Sequence, residues 1–206
     1  MRGRESGFTL LELMVVLAIA GLLMAVAIPA MGDFIRNGRI TGAANDVMAA
    51  LHFTRSEATK RRMPVTLCTS ANAVQANNTA NPSATCANSA LLTGWIAFVD
   101  LNQSGQRDAG ELILLNHAPM NAQITARSSV SPFRVTYLQS GFALNTNAAR
   151  LVLCDERGNE PSGGELSSAR GILVSVTGRA GVTRDMGEIQ TLVDAIGTSV
   201  GGCATS

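Results

Sequence analysis

The stretch Gly7-Phe8-Thr9-Leu10-Leu11-Glu12-Leu13-Met14-Val15-Val16 opens the segment that decides how this 206-residue chain is read. From Phe8 to Ala30 the residues are almost continuously apolar, and a bilayer core of about 30 Å needs roughly 20 such residues as helix. The segment is therefore long enough to span. Arg2 and Arg4 precede it and favour keeping the amino terminus on the cytoplasmic side, with the rest of the chain outside. Glu12 is the exception inside the run. A carboxylate in hydrocarbon costs about 2.5–3.5 kcal/mol even on lenient scales, which marks an ionisable residue there as a functional candidate. The bland alternative places Glu12 near the interface. Two further readings stay open: a plain signal anchor, or a secretory signal peptide cut after Ala25-Val26-Ala27 that releases a soluble binding protein starting at Ile28.

Gly7, then Phe8, then Glu12 at the fifth position after Gly7, followed by an apolar helix with Pro29, resembles the class III signal of type IV pilins and pseudopilins. The resemblance implies cutting between Gly7 and Phe8 by prepilin peptidase and methylation of the new Phe8 amine. It also implies that Glu12 pairs with the terminal ammonium of a neighbouring subunit during assembly, giving a desolvated charge the partner it requires. The implied partners are other pilins or pseudopilins along the N-terminal helix, and the implied location is the inner membrane, single-pass, with a periplasmic head. The expected organisation is a leader at 1–7, a transmembrane helix at 8–30, its amphipathic continuation at 31–62 and a β-rich head at 63–206.

From Met31 to Arg62 there is no proline, and Ile40, Ala44, Val47, Leu51 and Ala58 recur at helical spacing, a stripe suited to packing on a head. Pro29 and the glycines at 32, 38 and 42 are expected to weaken or kink the helix midway. Pro64 ends it around residues 61–63. The exit Arg55-Ser56-Glu57-Ala58 leading to Pro64-Val65-Thr66-Leu67 resembles the GspH/FimT pseudopilin family. That resemblance is close over the first 68 residues and continues in patches at 94–111 and 171–184. Lys60, Arg61 and Arg62 read as cations complementing the helix dipole, in preference to a binding patch.

Strands are expected at Val65–Thr69, Gly94–Val99, Leu112–Leu115, Phe133–Leu138, Arg150–Cys154 and Gly171–Val176, separated by glycine and asparagine clusters. The fold class is α+β: a long N-terminal transmembrane and amphipathic helix packed on an antiparallel β-sheet head, the pilin fold. Four cysteines in an exported domain suggest two disulfides, and the locally plausible loops are Cys68–Cys86 and Cys154–Cys203, against four free thiols.

Three chemical readings remain. Asp100, Asn102, Ser104, Gly105, Asp108 and Glu111 have the spacing of a calcium loop. Their flanks read as strands, however, and Asp, Asn and Gly also suit a plain turn. Gly178-Arg179-Ala180-Gly181 resembles in part the Gly-Arg-x-Arg element of DNA-uptake minor pilins, with Arg170 and Arg184 as possible supplements; Gly181 stands where the second arginine belongs, and Asp185 and Glu188 follow. A β-turn with solvated arginines is the alternative. A net charge of +1, from 16 basic and 15 acidic residues, does not favour nucleic acid as a general partner. No nucleophile, zinc-protease or phosphate-loop motif is present, so no enzyme and no cofactor is expected. The expected function is a minor pilin or pseudopilin, in filament assembly or at the tip.

Overall fold

The computed structural model describes residues 9–87, 94–120, 122–128, 132–144, 149–162, 164 and 166–196. The chain divides after Gly38 into two units. Helix α1 spans Leu10–Arg61, 52 residues. Thr9 caps its start: the Glu12 amide donates to Thr9 Oγ1 at 3.2 Å, and the Leu13 amide to the Thr9 carbonyl at 3.1 Å. The helix runs without interruption through Pro29 and the following glycines. A Cβ added at Gly32, Gly38 or Gly42 would meet nothing within 4 Å. No close neighbour requires these glycines, and each lowers helix propensity by about 1 kcal/mol relative to alanine without ending the helix.

In the second unit the apolar stripe is buried: Ile40, Ala43, Ala44, Val47, Ala50, Leu51 and Ala58 all enter one core. The helix closes on a Schellman turn. Arg62 takes φ 55° and the Met63 amide reaches back to the Ala58 carbonyl at 3.3 Å. Lys60 and Arg61 pair with Glu57 at 3.5 and 2.7 Å.

The head holds two antiparallel sheets where a single sheet is the simplest expectation. One has the order β3-β2-β1-β5-β6, built from β1 (Val65–Thr69), β2 (Trp95–Val99), β3 (Ile113–His117), β5 (Arg134–Tyr137) and β6 (Ala143–Leu144). The other has the order β4-β7-β8-β9, from β4 (Thr125–Ser128), β7 (Ala149–Cys154), β8 (Leu166–Val174) and β9 (Ala180–Asp185). Helix α2 (Met186–Ile196) follows. Residues from both sheets, such as Leu67 and Val135 on one and Leu151 and Ile172 on the other, share the core with α1. Each sheet has a small second core as well. On the first, Cys68, Ile96 and Phe98 pack with Ala73 and Ala84 of a loop stapled by the Cys68–Cys86 disulfide. On the second, Val152, Cys154 and Ala169 pack with Ile189 of α2. Burial from both sides explains why β1 and β2 are buried at every position and do not alternate. Cys154 is buried and is not a free thiol; its expected partner Cys203 lies outside the described residues.

Arginines tie the helix to the head. Arg55 donates from Nε to the Gly141 carbonyl at 3.0 Å and from Nη2 to the Thr177 carbonyl at 3.1 Å, joining a turn of each sheet to α1. The Ala143 amide also donates to the Val176 carbonyl at 3.1 Å. Beside this junction burial pushes the Tyr137 phenol up to about 12, against the opposing pull of Arg55. The two turns meet at Gly178, which has φ +76°, and a Cβ there would lie 2.0 Å from the Gly141 carbonyl oxygen. Gly178→Ala is expected to lower unfolding free energy by about 3 kcal/mol, whereas Gly181→Ala in the same hairpin, with open space around it, stays within roughly 0.5 kcal/mol. Urea midpoints of the two variants check this, and equal midpoints would contradict it.

Candidate functional site

Glu12 sits in the first turn of α1, where the positive end of the helix dipole favours a carboxylate. From Leu13 to Gly32 no other residue is charged. Among the described residues of this apolar stretch none is buried: Leu10, Leu11, Leu22 and Val26 are each more than 70% exposed. The helix is long and apolar enough to cross a membrane. The first charges beyond it, Asp33 and Arg36, form an exposed ion pair at 3.4 Å. Gly7 and Phe8, expected to be the processing site, lie outside the described residues.

The expected calcium loop is a turn between β2 and β3. Asp100 is fully buried and its carboxylate is occupied. It accepts from Thr66 Oγ1 at 2.6 Å, the Ser104 amide at 3.0 Å and the Gly105 amide at 2.9 Å. Because the Thr66 hydroxyl gives its one proton to Asp100, Thr136 donates to Thr66, 2.6 Å away. Glu111 accepts from the amides of Leu101 and Asp108, and Asp108 accepts from the Asn102 side chain. The oxygens that a calcium ion would need thus hold the loop's own donors, and no His, Cys, Asp or Glu cluster of metal-binding geometry occurs among the described residues. Asp100, Asn102, Ser104, Asp108 and Glu111 are joined here by the hydrogen bonds of a turn.

The three arginines considered for DNA do not form one surface. Arg170 is only 4% exposed. Its Nη1 donates to the carbonyls of Ser167, Ser168 and Ala169, and its Nη2 to Thr41 Oγ1 of α1 at 3.1 Å. Burial, with Arg184 and Arg157 nearby, lowers its pKa to about 10, which leaves it cationic at neutral pH. Arg184 is half-buried and leans on the carbonyls of Ser162 and Ser167 at 3.4 Å. Arg179 alone is exposed. Arg170 therefore ties β8 to α1 through Thr41.

Comparison with known families settles the class. A model described as the type II transport protein GspH matches residues 43–178. The chain belongs to the GspH family. A second model, the prokaryotic N-terminal methylation motif, matches residues 2–28 of this GspH-family chain, the part that carries Gly7, Phe8 and Glu12. Among curated relatives, a fimbrial protein of Pseudomonas aeruginosa is 47% identical over 45 residues, 22% of this chain and 29% of that one. The type IV major alpha-pilin of Moraxella bovis is 44% identical over 45 residues, 22% and 28% of the two chains. The matches thus span under a third of these relatives' length. A crystal structure of the type IV minor pilin FimU of P. aeruginosa aligns with TM-score 0.46 and 16% identity, covering 69% of this chain and 90% of that one.

The buried Asp100 network predicts its own test. Millimolar calcium is expected to leave the melting temperature unchanged, while Asp100→Ala costs about 3 kcal/mol with or without calcium, because it leaves the Thr66, Ser104 and Gly105 donors unsatisfied. A calcium-dependent rise in melting temperature would contradict the turn assignment.

Proposed function

We propose that this GspH-family chain is a minor pilin or pseudopilin, held in the inner membrane by α1 with its head in the periplasm, and built into a type IV pilus or type II secretion filament. The observation that carries the reading is the exposed apolar first part of α1, from Leu10 to Ile28, with a single carboxylate, Glu12, in its first turn. Lipid covers it first and other pilin-like helices cover it in the filament, where packing and pairing of charges replace lipid contact.

In this account prepilin peptidase cuts between Gly7 and Phe8, and the Phe8 amine is methylated. Glu12 then takes the terminal ammonium of an adjacent subunit. A lone carboxylate within hydrocarbon costs about 2.5–3.5 kcal/mol. Pairing with an ammonium offsets that cost only in the assembled state, so Glu12 favours incorporation over the free membrane pool. The match to the methylation motif supports the processing step. The role is that of a building block at or near the tip rather than of a catalyst.

Glu12→Gln keeps the shape of the side chain and removes its charge. The variant is expected to insert and to be processed normally but to vanish from sheared filament fractions, as read by immunoblot of membrane and filament pools. Normal incorporation of Glu12→Gln would reject the assembly role and leave a plain anchor.

A further inference from the structure

Four turns of the head meet at the end where α1 stops. The Asp100 amide donates to the Pro64 carbonyl at 3.0 Å, joining the β2–β3 turn to the exit from α1. Arg55 holds the β5–β6 and β8–β9 turns to the same stretch of helix. Seven large apolar side chains of the second unit are exposed, and five of them stand in these four turns: Met63, Leu101, Leu112, Phe142 and Val176. Leu101 is 65% exposed. Scattered exposed apolar residues are ordinary, whereas a group of them at one end marks a surface made for contact.

The exposed charge at this end is mainly positive. Lys60, Arg61, Arg62 and Arg179 are exposed, against one exposed carboxylate among the described residues of the four turns, Asp108. Glu57 is taken up by Lys60 and Arg61, Glu111 by two turn amides, and the half-buried Arg107 by the Ala84 and Glu111 carbonyls. Among the described residues no carboxylate pairs with Arg62 or Arg179.

The opposite end of the head is reversed in sign. Arg170 reaches Thr41, which lies about 21 Å from Arg55 along α1 at 1.5 Å per residue. The start of β8, the β7–β8 turn before it and the end of β9 therefore lie at that end. Glu156, Glu160, Asp185 and Glu188 are exposed there. The cations of these elements are drawn inward: Arg157 pairs with Asp155, Arg170 is buried, and Arg184 is half-buried on carbonyls. Arg39 is exposed there and donates to Gln123. Asp185 and Glu188 also serve the start of α2, where Asp185 accepts the Glu188 amide at 2.7 Å. Glu156 and Glu160 have no helix start to serve.

We propose that the end of the head where α1 stops docks the acidic end of a second copy of this chain, head to tail. The five apolar side chains supply the covered area, and Arg62 and Arg179 face Glu156 and Glu160 of the next copy. Because the two ends differ, the contact is heterologous and repeats in one direction. It uses head surfaces alone, so it stands apart from the assembly role of Glu12.

The test follows self-association of the full-length chain in detergent micelles by sedimentation velocity. Two double variants, each checked for an unaltered melting temperature, reverse one end apiece: Arg62→Glu with Arg179→Glu, and Glu156→Lys with Glu160→Lys. Each alone is expected to associate roughly tenfold more weakly than the natural chain, because like charges then meet. An equimolar mixture of the two is expected to regain association, since opposite charges meet again. Helix α1 keeps its apolar sequence in both, so helix contacts cannot produce that pattern. Leu101→Ser, a single exposed change, is expected to weaken association roughly fivefold. Should the lysine pair lower the melting temperature, Glu160→Gln replaces it and is expected to weaken association about threefold. A natural chain that stays single, a reversed variant that associates as well as the natural chain, or a mixture that regains nothing would overturn the proposal. Indifference to Leu101→Ser or to Glu160→Gln would overturn it as well.

Discussion

A carboxylate set in the first turn of an otherwise uncharged, uncovered apolar helix is the constraint on which this chain turns. Between Leu10 and Gly32 only Glu12 bears a charge, and the long side chains around it, such as Leu10, Leu11 and Leu13, are exposed. Such a surface is stable only in lipid or against similar helices. Its single charge is tolerated at the helix start, where Thr9 caps the first turn and the dipole is positive. The same position leaves the carboxylate available to an amine supplied from outside the chain. In the filament reading proposed above, sequence, capping and exposure together leave the isolated subunit incomplete.

The head meets a different demand, holding shape around a helix that also serves elsewhere. Two sheets share the stripe from Ile40 to Ala58, and the cations fix the details. Arg55 spans two turns, Arg170 links β8 to Thr41, and Arg39 donates to Gln123. The Arg55 and Arg170 hydrogen bonds end largely on backbone carbonyls. A charge count near neutrality thus conceals arginines engaged in packing rather than in binding.

Much of this was legible beforehand, for physical reasons. The stripe followed the helical period, and all five residues expected in it are buried. Pro64 and the strand after it marked the helix end, and the short loop between Cys68 and Cys86 fitted the observed bridge. What escaped was structure with polar sequence. β8 begins at Leu166, ahead of the expected Gly171, because Ser167, Ser168 and Arg170 are buried on hydrogen bonds that hydropathy cannot register. β9 and α2 were missed since Ala-Gly-Val-Thr-Arg reads as a turn, and α2 contributes one buried anchor, Ile189, among its described side chains. The residues of the Asp100 loop were recognised as oxygen-rich, but spacing could not show that backbone amides already fill those oxygens. For the same reason charge could not show that Arg170 is held inside by its carbonyl partners.

The amino terminus of the mature protein, taken from the filament or membrane fraction of a host with active prepilin peptidase, tests the central claim most directly. Intact-mass and terminal-peptide mass spectrometry should find a chain that starts at Phe8 and carries one methyl group on its amine. A chain that begins at Ile28, or that keeps its first seven residues, would contradict the account.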